Sequence, residues 1–173
     1  MNSPYADLPA FDPETGKLNA IIETPKGAHN KYKFDSKKGL FELDKTLPLG
    51  MVFPFDFGFV PATKGEDGDP LDVLVLLEES VFCGCVVPVR LIGVIEARQT
   101  QDGESFRNDR FIGAFEKQEL YAGVKELKDL GEESLEKLEQ FFVLYNEAQG
   151  RKFKPLRRSG AKVARKLVEA QVC

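Results

Sequence analysis

Between Leu18 and Ala97 the chain breaks into short β-branched and aromatic runs punctuated by Pro and Gly, and that rhythm leaves few folds open. The runs are Leu18–Thr24 (LNAIIET), Lys31–Asp35 (KYKFD), Leu40–Leu43, Phe57–Val60, Asp72–Leu77 and Val86–Ala97. Strands this short, following one another without helices between them, predict a small barrel. The period changes late in the chain. Leu135, Leu138, Phe142 and Tyr145 recur at helical spacing between Gly131 and Gly150, and Val163, Ala164, Leu167 and Val168 repeat the pattern behind Ser159, the expected N-cap. Gly150–Arg158 reads as a short basic connection. The expected fold is mainly β, a twisted barrel carrying two C-terminal amphipathic helices. No repeat or long linker divides the chain, so residues 1–173 are expected to form one domain.

Charge and cysteine content narrow the function classes. With 24 basic and 28 acidic residues the net charge is -4, which gives no electrostatic footprint for nucleic acid. No apolar segment approaches the roughly 20 residues that cross a bilayer, and Met1–Ala20 lacks the basic start and apolar run of a signal peptide. A cytoplasmic protein without membrane or nucleic-acid partners is expected. Its three cysteines, Cys83, Cys85 and Cys173, are an odd number for a disulfide framework, and His29 is the only histidine available to complete a soft-metal site. Thiols packed at a strand entrance are the expectation.

The chemistry is concentrated in GEDGDPLDVLVL, Gly65–Leu76, where Glu66, Asp67, Asp69 and Asp72 directly precede an apolar run. Neighbouring carboxylates repel and resist joint ionisation unless a cation sits among them. Gly65 and Gly68 are expected to supply positive-φ turns, and Pro70 to hold Asp69 extended, so that Asp67, Asp69 and Asp72 converge on one cavity. Oxygen ligands of this kind suit Mg²⁺ or Mn²⁺, the former commonly shared with substrate phosphates. A solvated acidic turn is the plain alternative.

The segment Asp67-Gly-Asp-Pro-Leu-Asp72 resembles the signature of the soluble family I inorganic pyrophosphatases. IIETP (Ile21–Pro25), NKYKFD (Asn30–Asp35), MVFPFDFGFVPAT (Met51–Thr63) and FFVLYN (Phe141–Asn146) follow the family's order and spacing, so the resemblance extends over Ala20–Asn146. It implies a five-stranded OB-like barrel with flanking helices. It also implies hydrolysis of pyrophosphate, or a related phosphoanhydride, by a water activated on Mg²⁺ ions, in a homo-oligomer that is commonly a hexamer. Carried over by position, Asp67, Asp72 and Asp102 would be metal ligands and Asp69 the general base. Lys31, Lys45, Arg110 and Tyr145 would grip phosphate oxygens, with Glu23 and Lys33 in support.

Several positions depart from the family pattern. Lys33 stands where a glutamate is expected, Lys45 for an arginine, Phe53, Phe57 and Phe59 for tyrosines, and Asn146 for a lysine that Lys152 or Lys154 would replace. In Gln99–Phe111, Asn108 falls where a second metal-binding aspartate is expected, with Asp109 as its stand-in, and Arg110 falls in a lysine's place. Three readings follow. They are a Mg²⁺-dependent phosphoanhydride hydrolase, a catalytically impaired relative that binds phosphate compounds or acts as an assembly subunit, and a barrel-fold interaction module.

Overall fold

In the computed structural model, which describes Tyr5 and residues 7–173, strand β1 (Leu18–Thr24) is buried along its whole length. Burial of that kind needs a partner on each edge. β1 pairs antiparallel with β4 (Asp56–Phe59) on one side and with β6 (Val86–Gln101) on the other. From β4 the pairing runs antiparallel to β5 (Asp72–Leu76), parallel to β8 (Arg110–Ala114) and antiparallel back to β6. Five strands therefore close a ring, the small barrel expected from the sequence, and closure removes the open edges that invite aggregation. Two glycines permit the close approach of strands. A Cβ on Gly58 would lie 2.0 Å from the Ile21 carbonyl oxygen, and one on Gly113 would lie 2.4 Å from Val89 Cγ2.

Alternation along the strands divides the core in two. Leu74, Leu76, Ile112 and Ala114 face one apolar cluster, and Val73, Val75 and Phe111 face the other. Helix α1 (Glu132–Glu147) covers the first with Leu135, Leu138, Phe142 and Tyr145. Helix α2 (Ala161–Glu169) covers the second with Ala164 and Val168. Both helices fall where the periodicity places them.

Three local expectations are corrected. β2 (Asn30–Asp35) and β3 (Leu40–Thr46) lie outside the ring as a separate two-stranded sheet. The connection Gly150–Arg158 is mostly strand: β9 (Lys152–Gly160) pairs with the far half of β6, which separates it from β7 (Glu104–Arg107) on the other edge. Pro155 is tolerated in β9 because it sits at a register shift opposite Ala97. Ser159 does not cap α2. Gly160 holds that position without a side-chain cap, and the Ser159 hydroxyl donates to Glu96 Oε1 at 2.5 Å.

Candidate active site

The acidic turn is closed upon itself. The Gly65 N–H donates to the Asp69 carbonyl at 2.8 Å, the Gly68 N–H to the Gly65 carbonyl at 3.1 Å, and the Asp69 N–H to Asp67 Oδ1 at 3.1 Å. Gly68 takes the expected positive φ, +87°. Gly65 does not; a Cβ there would crowd Asp67 Oδ1 at 3.0 Å and the Asp69 carbonyl oxygen at 3.3 Å. The Arg107 N–H donates to Glu66 Oε2 at 2.6 Å and so ties the turn to the end of β7. Asp72 then opens β5 and is fixed by the ladder.

The turn faces a cavity of about 600 Å³. Ten of the residues expected from the sequence line it: Glu23, Lys31, Lys33, Lys45, Asp67, Asp69, Asp72, Asp102, Arg110 and Tyr145. They arrive from β1, β2, β3, the acidic turn, β5, the β6–β7 turn, β8 and α1. Asp102 and Gly103 form that two-residue turn, both with positive φ (52° and 83°). Phe57 and Phe59 supply apolar wall, whereas Phe53 lies behind it in the core against Tyr145, at 5.6 Å between ring centroids.

Most of the charged groups are already paired. Arg110 Nη1 lies 2.7 Å from Asp72 Oδ2, with the arginine side chain 4% exposed, and its guanidinium sits over Phe142 and Phe153 at 4.9 and 5.0 Å. Nη1 also donates to the side-chain oxygen of Asn108, whose Nδ2 donates to Gln99 Oε1 at 3.0 Å. Lys33 Nζ meets Asp69 Oδ2 at 2.8 Å. Burial opposes the Lys33 charge, but the hydrogen bond and negative charge of Asp69 outweigh it and raise its pKa. Lys31 lies 3.7 Å from Glu23 and over the Phe57 ring, and Lys45 donates to Gln149 Oε1 at 2.6 Å. Burial raises the Glu23 carboxyl although Lys31 and the Phe34 N–H pull it down. Burial also pushes the Tyr145 phenol up to about 12 and keeps it a neutral donor.

Asp109 is no stand-in for a cavity carboxylate. It does not line the cavity but is buried just before β8, accepting from the Ala97 N–H at 2.8 Å and from Arg107 beside a small crevice that it shares with Asp67 and Asp72. Nor do Lys152 and Lys154 reach the cavity; Arg151, just before β9, lines it instead. Sequence reasoning also missed Gln99, Gln101, Glu104 and Asp44 as lining residues. The alternation of the long β6 is the one signal that could have found the glutamines.

The donor chemistry fits a hard divalent cation. Among the described residues Asp67 makes no ion pair, and its carboxyl is raised by burial and by the negative charge of Asp72 and Asp69, a repulsion that a cation between them relieves. Among the described residues no three acidic, histidine or cysteine side chains are gathered as a ready-made set. Asp72 and Asp69 are turned to Arg110 and Lys33.

A closed five-strand ring with flanking helices and a cavity rich in carboxylates defines a class of small barrel proteins, and comparison places the chain within it. A profile described as inorganic pyrophosphatase matches residues 20–172. The chain is 36% identical over 142 residues to the inorganic pyrophosphatase of Synechocystis, covering 82% of this chain and 81% of the relative. It is 37% identical over 153 residues to that of Leifsonia xyli, covering 88% and 91%. The crystal structure of inorganic pyrophosphatase from Thermus thermophilus superposes with a TM-score of 0.87 at 30% identity, covering 99% of this chain and 97% of that one. The chain belongs to the inorganic pyrophosphatase family.

Proposed function

We propose that the chain is an inorganic diphosphatase, hydrolysing pyrophosphate to two phosphates with Mg²⁺, or Mn²⁺, as the divalent cation. The observation that carries this is the convergence of ten separately encoded residues on one cavity in a chain of this family. Asp67 and Asp72, with Asp102 across the cavity, would hold the cation. When bound, it supplies the Lewis acidity that lets water act as a nucleophile near neutral pH and offsets charge on the leaving phosphate. Asp69 takes the proton of the attacking water. A bond forms from that water oxygen to phosphorus, the bond to the bridging oxygen breaks, and its electron pair leaves with the second phosphate. Lys31, Lys45, Arg110 and Tyr145 hold phosphate oxygens and align them, while Glu23 and Lys33 set the surrounding charge.

A second reading, binding without efficient turnover, is favoured by the pairing of Asp72 with Arg110 and by the neutral Gln99–Asn108 amide pair. Phosphate release from pyrophosphate, with and without Mg²⁺, separates the two. Mg²⁺-dependent release that disappears in Asp69→Asn supports hydrolysis; pyrophosphate binding without release supports the second reading. No helix among the described residues is long and apolar enough to cross a membrane. The proposal extends to one pyrophosphatase-like domain over residues 1–173 and to a homo-oligomer in the cytoplasm, which sedimentation and cell fractionation test.

A further inference from the structure

The lysines of β9 do not reach the cavity, and the strand register shows where they stand instead. β6 lies between β7 and β9, so these three strands share one face beyond the ring. Gln99, Gln101, Glu104 and Phe106 turn to the cavity. The residues that alternate with them turn away from it. There Arg98 stands directly opposite Arg107 on one side and Lys154 on the other, and the next row sets Thr100 between Ser105 and Lys152. Like charges directly opposite in neighbouring strands oppose pairing, so a row of three cations is destabilising until something anionic covers it.

The chain does not neutralise this face. The carboxylates that reach it, Glu96 and Asp109, are buried and already taken. Arg157 holds Glu96 through Nε at 2.7 Å and Nη2 at 3.0 Å, and Arg107 holds Asp109 through Nε at 3.1 Å and Nη2 at 2.8 Å. Arg98 finds only the Ser105 hydroxyl, at 3.5 Å, and among the described residues the ammonium groups of Lys152 and Lys154 have no ion-pair partner. Arg98, Lys152 and Lys154, all exposed, are left over.

We propose that this face, turned away from the cavity, is a docking surface for an extended acidic segment of a partner polypeptide. Same-face residues of an extended chain recur about every 6.8 Å. Alternate carboxylates of such a segment therefore match the spacing of Lys152 and Lys154 along β9, with Arg98 beside them across the sheet. The forked pairs that Arg157 and Arg107 make show that guanidinium groups here take carboxylates edge-on. Leu156, 46% exposed and unpaired at the register shift, offers one apolar contact. Pro155 has no N–H and blunts the edge of β9 away from β6, so the segment lies over the face and does not extend the sheet. None of Arg98, Thr100, Ser105, Lys152 and Lys154 is aromatic, so single-stranded nucleic acid would lack the platform on which its bases stack.

Fluorescence anisotropy with a labelled peptide of alternating Glu and Ser, 9 residues long like β9, tests this on the whole protein at low ionic strength. Wild type should bind it and not its Gln–Ser counterpart. Salt at about 1 M, where the Debye length is about 3 Å, should abolish the binding. An exposed ion pair changes affinity by at most about five-fold, so Arg98→Gln and Lys154→Gln should each weaken binding about two- to five-fold and together about 10-fold. Lys154→Gln removes a like charge opposite Arg98, so its Tm should be no lower than wild type, which separates lost binding from lost folding. Failure of wild type to bind the peptide overturns the proposal. Undiminished binding by the double variant also overturns it and moves the peptide to another surface, the cavity included. Tighter binding of a uridine oligonucleotide or of phosphatidylserine vesicles, lost in the same double variant, overturns the choice of partner. Self-association that disappears in that variant gives the face to a second copy of the chain and overturns it likewise.

Discussion

Lys33 offsets the charge of one carboxylate, Asp69, at the cavity mouth. Its ammonium is 2.8 Å from Asp69 Oδ2, so the strand register taken from the family resemblance delivers this side chain to the acidic turn. Lys33→Glu removes the pairing cation and adds a carboxylate, a two-unit change beside the group proposed as general base. Because the side chain is half exposed, solvent and salt screen much of that change, and divalent-cation affinity should rise on the order of 10-fold. Metal titration alongside phosphate release checks it, and unchanged affinity would show that Lys33 does not govern the site. Tyr145 makes a complementary case. Its ring stacks on Phe141 at 5.9 Å and meets Phe53 edge-on at 5.6 Å, contacts that phenylalanine keeps. Its hydroxyl, with a pKa pushed up to about 12, stays a donor through neutral pH. Tyr145→Phe should therefore lower unfolding free energy by no more than about 1 kcal/mol, the weight of the hydrogen bond that its hydroxyl shares with Gln149. KM for pyrophosphate should rise about 10-fold, the weight of a hydrogen bond to a charged group. A loss of stability with unchanged KM would make the tyrosine a core residue only.

At the scale of elements, the long strand β6 organises both the site and its support. Gln99 and Gln101 near its end reach the cavity, while Glu96 holds β9 and the β7–β8 corner through Arg157 Nε at 2.7 Å, Ser159 at 2.5 Å and Arg107 at 3.0 Å. The hydrogen bond from Arg157 leads in depressing the Glu96 pKa from 4.5 to about 2; burial opposes, and Ser159 and Arg107 assist. A carboxylate depressed on folding stabilises above its unfolded pKa and loses that contribution as pH falls through the folded one. Wild-type unfolding free energy should thus drop between pH 4.5 and about 2, by on the order of 2 kcal/mol once the exposed Arg157 partner is discounted. Urea unfolding of Glu96→Gln should show a flatter profile over that window; identical profiles would remove Glu96 from the acid response. This strand also shows where legibility ended. β1, β5 and most of β6 were readable because apolar runs between turn signals reflect continuous burial. β8 was hidden, since its five buried residues begin with Arg110 and follow a charged loop. β9 was hidden by its lysines, arginines and Pro155, which are tolerated because much of the strand faces solvent. The β2–β3 hairpin was readable as strands but not as a separate sheet, because pairing partners are decided by long-range closure rather than by local pattern.

For the whole molecule, the acidic turn was legible as a cluster of carboxylates because like charges in sequence remain like charges in space. Its present partners were not, because Arg110 lies 38 positions beyond Asp72 (110 − 72) and meets it only through the parallel β5–β8 pairing. The consequence is global. A ligand that binds only the folded state stabilises it by mass action, about 2.7 kcal/mol at a free concentration 100 times Kd. For a chain of this size that corresponds to a rise in Tm of about 5–10 °C. Mg²⁺ or Mn²⁺ should therefore raise the wild-type Tm by roughly that amount, and chelation should return it to the metal-free value. Asp72→Ala removes a carboxylate of the turn and also leaves the buried guanidinium of Arg110 without its counter-charge, so the variant should start from a lower Tm. The informative quantity is the difference with and without cation, in which that lower baseline cancels. The difference should vanish in Asp72→Ala and persist in Asp109→Asn, whose carboxylate is spent on Arg107 and the Ala97 N–H away from the cavity. Equal cation-dependent shifts in wild type and Asp72→Ala would move the metal elsewhere on the molecule, and loss of the shift in Asp109→Asn alone would restore Asp109 to the ligand set.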